Sequence, residues 1–457
     1  MQQPELWKKI EKFDINATSN GNGFSLKLAR ENNWPYEFTK EAIVEYKKFM
    51  FLAATCNFMV SPSRIVDQVW HLHLTYSRSY NDFCELLGKK IEHVPSNFSD
   101  SDIKTFRSAK EKTKTEYEKV FGNQPVAYWI KNDLFDQLNL EKAKYKFRSK
   151  LVFLLLLLIV LYYPLYLITR SFIITVDSFT FLGVDVLIFI ATLIILHNYN
   201  VRKTQSIILG LDKNCFLFKL TPLELIYLKS KKLIPVIHAV INNLILKQKI
   251  YVKEDFKIAR SINLTPTEIS NEPVLEYISN EGIFYPELLS KVIHRSNYMN
   301  IKTAMYSLEK YFEKSKVFSK VLIVNVSILS FIILFNFLRL TNGIMREKQI
   351  GFLFFIILVM IIISSAFIYF LYSMISRQTL TNYYKHTLIT NSKRKENWAW
   401  EYFIFRESMY TASFLPLVNY VENKNSGSSG GSSCGSSCGS SCGSSCGGGC
   451  GGCGGGD

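Results

Sequence analysis

The chain has 457 residues, with 54 Lys plus Arg against 38 Asp plus Glu, a formal net charge of +16, and length for about three domains of typical size. Hydrophobic residues make up 48% and charged residues 20%, which excludes a chain disordered throughout and is too little charge for an average soluble enzyme. Six of the nine cysteines fall in the last 24 residues, which excludes a disulfide-stapled fold.

In chain order, residues 1–130 read as a helical domain. Thr39, followed by Glu41, Ile43, Val44, Tyr46, Phe49, Met50 and Ala53, predicts a helix with Thr39 as its N-cap. Ser61-Pro62 predicts the start of the next, with proline in the first turn. That second helix carries Val66-Asp67-Gln68-Val69-Trp70-His71-Leu72-His73-Leu74, then Tyr80, Phe83, Cys84, Gly88 and His93. Asp67 and His71 are four apart and share a face. Val66, Trp70, His73, Tyr80 and Cys84 fall on another stripe. A carboxylate, three histidines and a thiol are the ligand types of zinc, so His71 and His73 are candidate metal residues. Their spacing matches no common zinc signature, however, and the two histidines point to different sides of one helix. In the alternative, Trp70 and Tyr80 pack the core and Asp67 fixes the His71 tautomer in a structural network.

The string VDxVWHLHLxxxxxYxxFC, continued by LGxxIxHxP and by Thr115, Tyr117, Phe121-Gly122, Pro125 and Trp129, resembles the glycine-rich-domain-containing-protein-like family over residues 40–130. The resemblance implies a helical module with no established catalysis.

A basic linker, 131–150, leads to the first of four predicted spans: Leu151–Ile168, Phe179–Leu196, Val321–Leu338 and Ile350–Ile375. The first is eighteen residues without a charge, about 27 Å of helix and close to the hydrocarbon thickness. It begins about 150 residues into the chain, so no cleavable signal peptide is expected ahead of the N-terminal domain. Pro164 is expected to kink it. Asp185, the one acid well inside a span, reads either as a cation or proton path or as an interfacial acid bonded to a neighbour. Lys142, Lys144, Lys146, Arg148 and Lys150 precede the first span, Arg202 and Lys203 follow the second, and Arg377, Lys385, Lys393, Arg394 and Lys395 follow the fourth. This bias puts the N-terminus, the middle domain and the C-terminal tail in the cytoplasm.

The expected fold class is therefore mainly α: a multi-pass membrane protein with hairpins at 151–196 and 317–376, around a cytoplasmic domain at 197–316. In that middle domain Thr221-Pro222 caps a short helix, and Ile234–Leu246 is an amphipathic second helix. Lys249–Lys253 and Phe256–Arg260 are expected as two strands. Further helices are expected at Pro273–Asn280, Pro286–His294 and Thr303–Lys314. This order predicts a winged-helix-like fold. The second helix offers only His238, Asn242, Asn243 and Gln248 as polar reach, too little for phosphate anchoring, so nucleic acid is not an expected partner. The string LTPLELIYLKS…VIHAVINNLILKQKI resembles the LDPYELAYL…AVxxALxxLxxxGxL signature of a family of uncharacterised bacterial membrane proteins. That family places the signature between hydrophobic hairpins and commonly ends in Gly/Cys repeats. Thr221 and Lys229-Ser230 depart from it, at the usual acid and at the glycine-rich turn.

After a juxtamembrane segment, 377–424, residues 425–457 form a Ser/Gly/Cys tail expected to be disordered. Cys434, Cys438, Cys442 and Cys446 recur at intervals of four, followed by Cys450 and Cys453. These six thiols are candidate ligands for Zn or Cu(I), and they equally suit reversible oxidation or enzymatic modification. A Walker loop and an HExxH string are both absent. The leading expectation is a non-enzymatic scaffold in a bacterial inner membrane, with the lipid bilayer and unidentified proteins as partners. The alternatives are a metal- or thiol-redox-handling protein and a membrane-tethered DNA-binding regulator.

Overall fold

The computed structural model describes residues 3–17, 23–94, 100–145, 147–390 and 398–426. It is mainly helical. The N-terminal domain consists of α1 (Pro4–Lys12), α2 (Gly23–Asn32), α3 (Tyr36–Thr55), α4 (Arg64–Thr75), α5 (Ser77–Leu87), α6 (Asp100–Phe121) and the single turn α7 (Val126–Trp129). Two helix starts differ from expectation. α3 begins just after Pro35, and Thr39 lies inside it, its hydroxyl donating back to the Pro35 carbonyl at 2.9 Å. A threonine bonded to residue i−4 looks like a cap in sequence but is not one. α4 begins after Ser63, whose hydroxyl accepts the Val66 N–H at 3.2 Å. Pro62 therefore precedes the cap instead of occupying the first turn.

α3 and α4 pack on each other, and Phe49 and Met50 of α3 and Val66 and Val69 of α4 are all buried. Glu45 of α3 is buried as well. One of its oxygens accepts from Tyr117 Oη and Trp129 Nε1, both at 2.7 Å, and the other pairs with Lys48 at 2.8 Å. That network fixes α6 and α7 to α3. A buried carboxylate with three donors is the condition under which its desolvation is offset.

Among the described residues, four helices are long and apolar enough to cross a membrane: α8 (Phe147–Thr175), α9 (Ser178–Leu209), α15 (Lys316–Met345) and α16 (Gly351–Met374), which continues to Thr387. α8 runs unbroken through Pro164. α15 sits at the centre of this bundle and packs against α8, α9 and α16. Polar side chains pin α9 to α15. Asn200 and Asn325 exchange two amide hydrogen bonds, at 2.9 and 2.7 Å, and Asn336 Nδ2 donates to Asp185 Oδ1 at 2.9 Å. Asp185 thus has a partner on another span. Arg339 donates to the carbonyls of Ile173 and Val176 at the end of α8, satisfying groups a helix leaves open. Outside the bundle, Phe153, Val160, Ile168, Leu187, Phe352 and Phe355 are exposed, as a lipid-facing band would be.

The middle domain opens with α10 (Pro222–Ser230), where Thr221 is the N-cap as expected, and Glu224 completes a capping box with it. It ends on Lys231 at φ 59°, a left-handed position that glycine would adopt at less cost. α11 (Ile234–Leu246) leads to β1 (Ile250–Val252) and β2 (Lys257–Arg260), which pair antiparallel with Tyr251 opposite Ala259. A third strand, β3 (Ile283–Phe284), joins the other edge of β2, giving the order β1-β2-β3. α12 (Pro266–Asn271) was not anticipated, although Thr265-Pro266 and Glu268 repeat the capping box of α10. The helix expected at Pro273–Asn280 is a short 3-10 turn at Leu275–Tyr277. α13 (Tyr285–Val292) and α14 (Ser296–Glu313) complete the domain.

Three further contacts join the parts. Tyr36 N–H donates to Glu224 Oε1 at 2.9 Å, Lys219 pairs with Glu41 at 2.7 Å, and Asn300 Nδ2 donates to the Leu26 carbonyl at 2.9 Å. The N-terminal and middle domains therefore share one hydrophobic core. Residues expected as a plain linker take part: Leu134 and Leu138 are buried, and Lys142 bridges to Ser315. After Met374, a π-helical turn (Ile375–Leu380), α17 (Thr381–Thr390) and α18 (Trp398–Phe405) pack on the middle domain, and α19 (Leu415–Ser426) follows. Asn242 of α11 donates to the Met409 carbonyl and accepts the Thr411 N–H, both at 2.9 Å. Phe414 packs against His238 and Tyr285.

Candidate functional site

The two histidines of α4 have opposite fates. His73 is wholly buried, with Nδ1 2.8 Å from Tyr46 Oη and Nε2 3.1 Å from Ser79 Oγ. Burial lowers its pKa to about 4, so at neutral pH it is an uncharged core residue with both nitrogens engaged. His73 is thereby removed from the candidate metal residues. Two residues along a helix is about 200° of rotation, which puts it on the opposite face from His71.

His71 stays on the surface and meets a residue from elsewhere. Its Nε2 lies 3.3 Å from Asp67 Oδ2, and the Nε2 of His93 lies 3.1 Å from Asp67 Oδ1. The two imidazole centroids are 4.4 Å apart. His93 comes from the segment after α5, which ends on Gly88 in the left-handed conformation. This segment is anchored from behind. Trp70 Nε1 donates to Tyr80 Oη at 3.2 Å, Tyr80 Oη donates to the Ile91 carbonyl, and the Trp70 ring meets His93 edge-on at 4.6 Å. The stripe of Trp70, Tyr80 and Cys84 read from spacing is thus the buried support of the site, and Cys84 is core, not ligand. His93 carried a signal in the LGxxIxHxP string, but nothing in linear spacing joins it to Asp67.

The cluster stands at one wall of a cleft of about 820 Å³ between the start of α4 and the segment 89–94. Phe58, Met59 and Phe106 give it an apolar lining, and Arg64, Lys89 and Lys90 a basic lip. A size of this order suits a peptide side-chain cluster or a small molecule. The tail thiols Cys434, Cys438, Cys442, Cys446, Cys450 and Cys453 lie outside the described residues.

With the cleft located, comparison with known proteins falls on the same segment. Residues 32–118 match the UCP032817-like family model. That span holds α3, α4, α5, most of α6 and all three residues of the cluster. Two plant proteins of Arabidopsis thaliana are similar to part of the chain. Glycine-rich domain-containing protein 2 is 26% identical over an alignment of 161 positions, taking in 28% of this chain and 20% of the relative. Glycine-rich domain-containing protein 1 is 28% identical over 130 positions, 27% of this chain and 15% of the relative. The N-terminal part thus resembles the glycine-rich domain-containing proteins, as its motif indicates, and the chain spans a fifth or less of the length of these relatives. No solved structure matches the chain.

Proposed function

We propose that this is a non-enzymatic, multi-pass protein of a bacterial inner membrane whose cytoplasmic body docks a partner protein in the cleft of the N-terminal domain. The observation that carries this reading is the cleft itself, where Phe58, Met59 and Phe106 stand beside Arg64, Lys89 and Lys90, which outnumber the lining acids Asp67 and Glu92. It sits on a domain whose core is continuous with the middle domain and hence with the spans. The partner it suits carries an apolar anchor flanked by acidic side chains. Use of the buried titratable groups supports a binding role: Glu45 and His73 are consumed by core contacts. The flanking lysines and arginines support the cytoplasmic placement.

The order α10–α11–β1–β2, with β3 closing the sheet, supports a winged-helix-like middle domain between two membrane hairpins. In a winged helix that reads DNA, the second helix enters the major groove. Here α11 is packed under the segment 398–418 through Asn242, His238 and Phe414, which favours a structural role over a DNA-binding regulator. The competing reading, Zn or Cu(I) capture by the tail thiols, predicts metal that disappears on truncation after Asn425.

A photo-reactive residue at Phe58 in the full chain, in its own membrane, tests docking. The expected result is a discrete adduct, weakened by Lys89→Glu with Lys90→Glu and missing from a control at exposed Tyr306. The same adducts from Phe58 and Tyr306 would overturn the assignment.

A further inference from the structure

We propose that Asp67, His71 and His93 form a site for one divalent transition-metal ion of the zinc class, with a coordination position open toward the cleft. Zinc takes imidazole nitrogen and carboxylate oxygen at about 2.0–2.2 Å, so two ligands on a tetrahedral ion stand about 3.3 Å apart. The Asp67 oxygens are 3.3 and 3.1 Å from the two Nε2 atoms, and all the ligand atoms lie within 4.8 Å of one another. Each imidazole therefore already stands at ligand spacing from one carboxylate oxygen of Asp67, His71 from Oδ2 and His93 from Oδ1. One ion requires the two imidazoles to converge on it, and His71, the most exposed of the three side chains, is the one with room to turn.

The donor set is two neutral nitrogens and one carboxylate, which suits borderline ions and is poor for calcium or magnesium, whose sites are built from oxygen. Three protein ligands leave a fourth position for water or an exchangeable group. The ligands are also supported as metal ligands usually are. Asp67 and His71 are fixed one turn apart on α4. His93 is braced by the Trp70 ring and by the Tyr80 bond to Ile91. Asp67 and His93 line the cleft, so the open position faces it. There Arg64, Lys89 and Lys90, only partly offset by Glu92, favour water or an anionic group as fourth ligand over a second cation. The site goes beyond the docking function, and its failure would leave that function standing.

The test uses the full chain in detergent, with the thiols alkylated by N-ethylmaleimide so that the tail cannot compete, and bound metal stripped with EDTA and dialysed away. Zn(II) is titrated against a chromophoric chelator, and Co(II) is followed by its visible absorption. The expected result is one equivalent bound by the parent chain, with a four-coordinate cobalt spectrum free of thiolate charge transfer. His71→Gln and His93→Gln should each weaken that binding by at least about 100-fold, above the usual loss on removing a supporting partner alone. Thermal melts without metal report whether each variant folds. His71 is exposed and outside the core, so its variant decides the matter if the His93 variant is unstable. Equal zinc affinity and stoichiometry in the parent and His71→Gln would overturn the proposal and leave the three residues as a hydrogen-bonded cluster only.

Discussion

Acidification charges His73 in the unfolded chain long before it charges it in the core. The folded value is about 4 and the unfolded value about 6.5. A depressed folded value means that the unfolded state binds the extra proton between those limits. The contribution is therefore fully present above about pH 6.5 and is lost as the pH falls toward 4. A difference of about 2.5 units corresponds to about 3 kcal/mol, most of it already gone at pH 4.5. For a domain of this size that is a fall of roughly 10 °C in melting temperature. Tryptophan fluorescence of the full chain in detergent reads it, since Trp7, Trp34, Trp70 and Trp129 all belong to the N-terminal domain. EDTA keeps the Asp67 cluster free of metal. Other groups titrate over the same range, so the decisive quantity is the difference from His73→Gln, whose amide can still meet Tyr46 and Ser79 but cannot take a proton. The variant should be less stable at pH 7.5 and should lose less on going to pH 4.5. Parallel pH profiles would refute the account of His73 as a neutral core residue.

Glu45→Ala leaves the buried Trp129 N–H without its acceptor, takes the acceptor of the Tyr117 hydroxyl and removes the anion beside Lys48, and should cost about 3–5 kcal/mol; Glu45→Gln, which keeps an acceptor, should cost less in the same melt. Asn325→Leu removes both amide bonds to Asn200 and should lower resistance to SDS unfolding by about 1 kcal/mol, with an unchanged midpoint counting against an inward-facing pair. Thr221→Ala removes the cap of α10 and should cost about 1 kcal/mol. Ending the chain at Thr390 removes α18 and α19 and should raise hydrogen exchange across α11; unchanged protection there would show that the segment is not its cover.

The four long apolar helices were legible because an apolar run of eighteen residues identifies itself with no knowledge of its neighbours. Their pairing was not. Asp185 and Asn336 are 151 residues apart, and an asparagine in a hydrophobic run carries no mark of its partner. The Thr-Pro cap of α10 is legible in sequence, and Thr265-Pro266 carries the same signal for α12; the reciprocal bonds of Glu224 and Glu268 complete both caps. β3, at two residues, is too short to leave a period. In the site, helix periodicity correctly separated His71 from His73 and joined Asp67 to His71. It could not bring in His93, because the turn at Gly88 and the anchoring of Ile91 by Tyr80 decide where that ring lies.

The same anchoring bears on how the two proposals relate. The segment 89–94 supplies both His93 to the cluster and Lys89 and Lys90 to the lip of the cleft. An ion held by Asp67, His71 and His93 would tie this segment to α4 at a point beyond the Tyr80 bond, and so narrow the positions the two lysines can take. Ordering a recognition segment before the partner arrives lowers the entropy lost on binding. Metal and partner would then favour one another, each to the same degree, since coupling between two ligands of one protein is reciprocal. The Phe58 adduct should therefore strengthen with zinc in the parent chain and lose that dependence in His71→Gln, while the adduct itself survives. An adduct equally strong with zinc and with EDTA would separate the two properties and leave the cleft working without the ion.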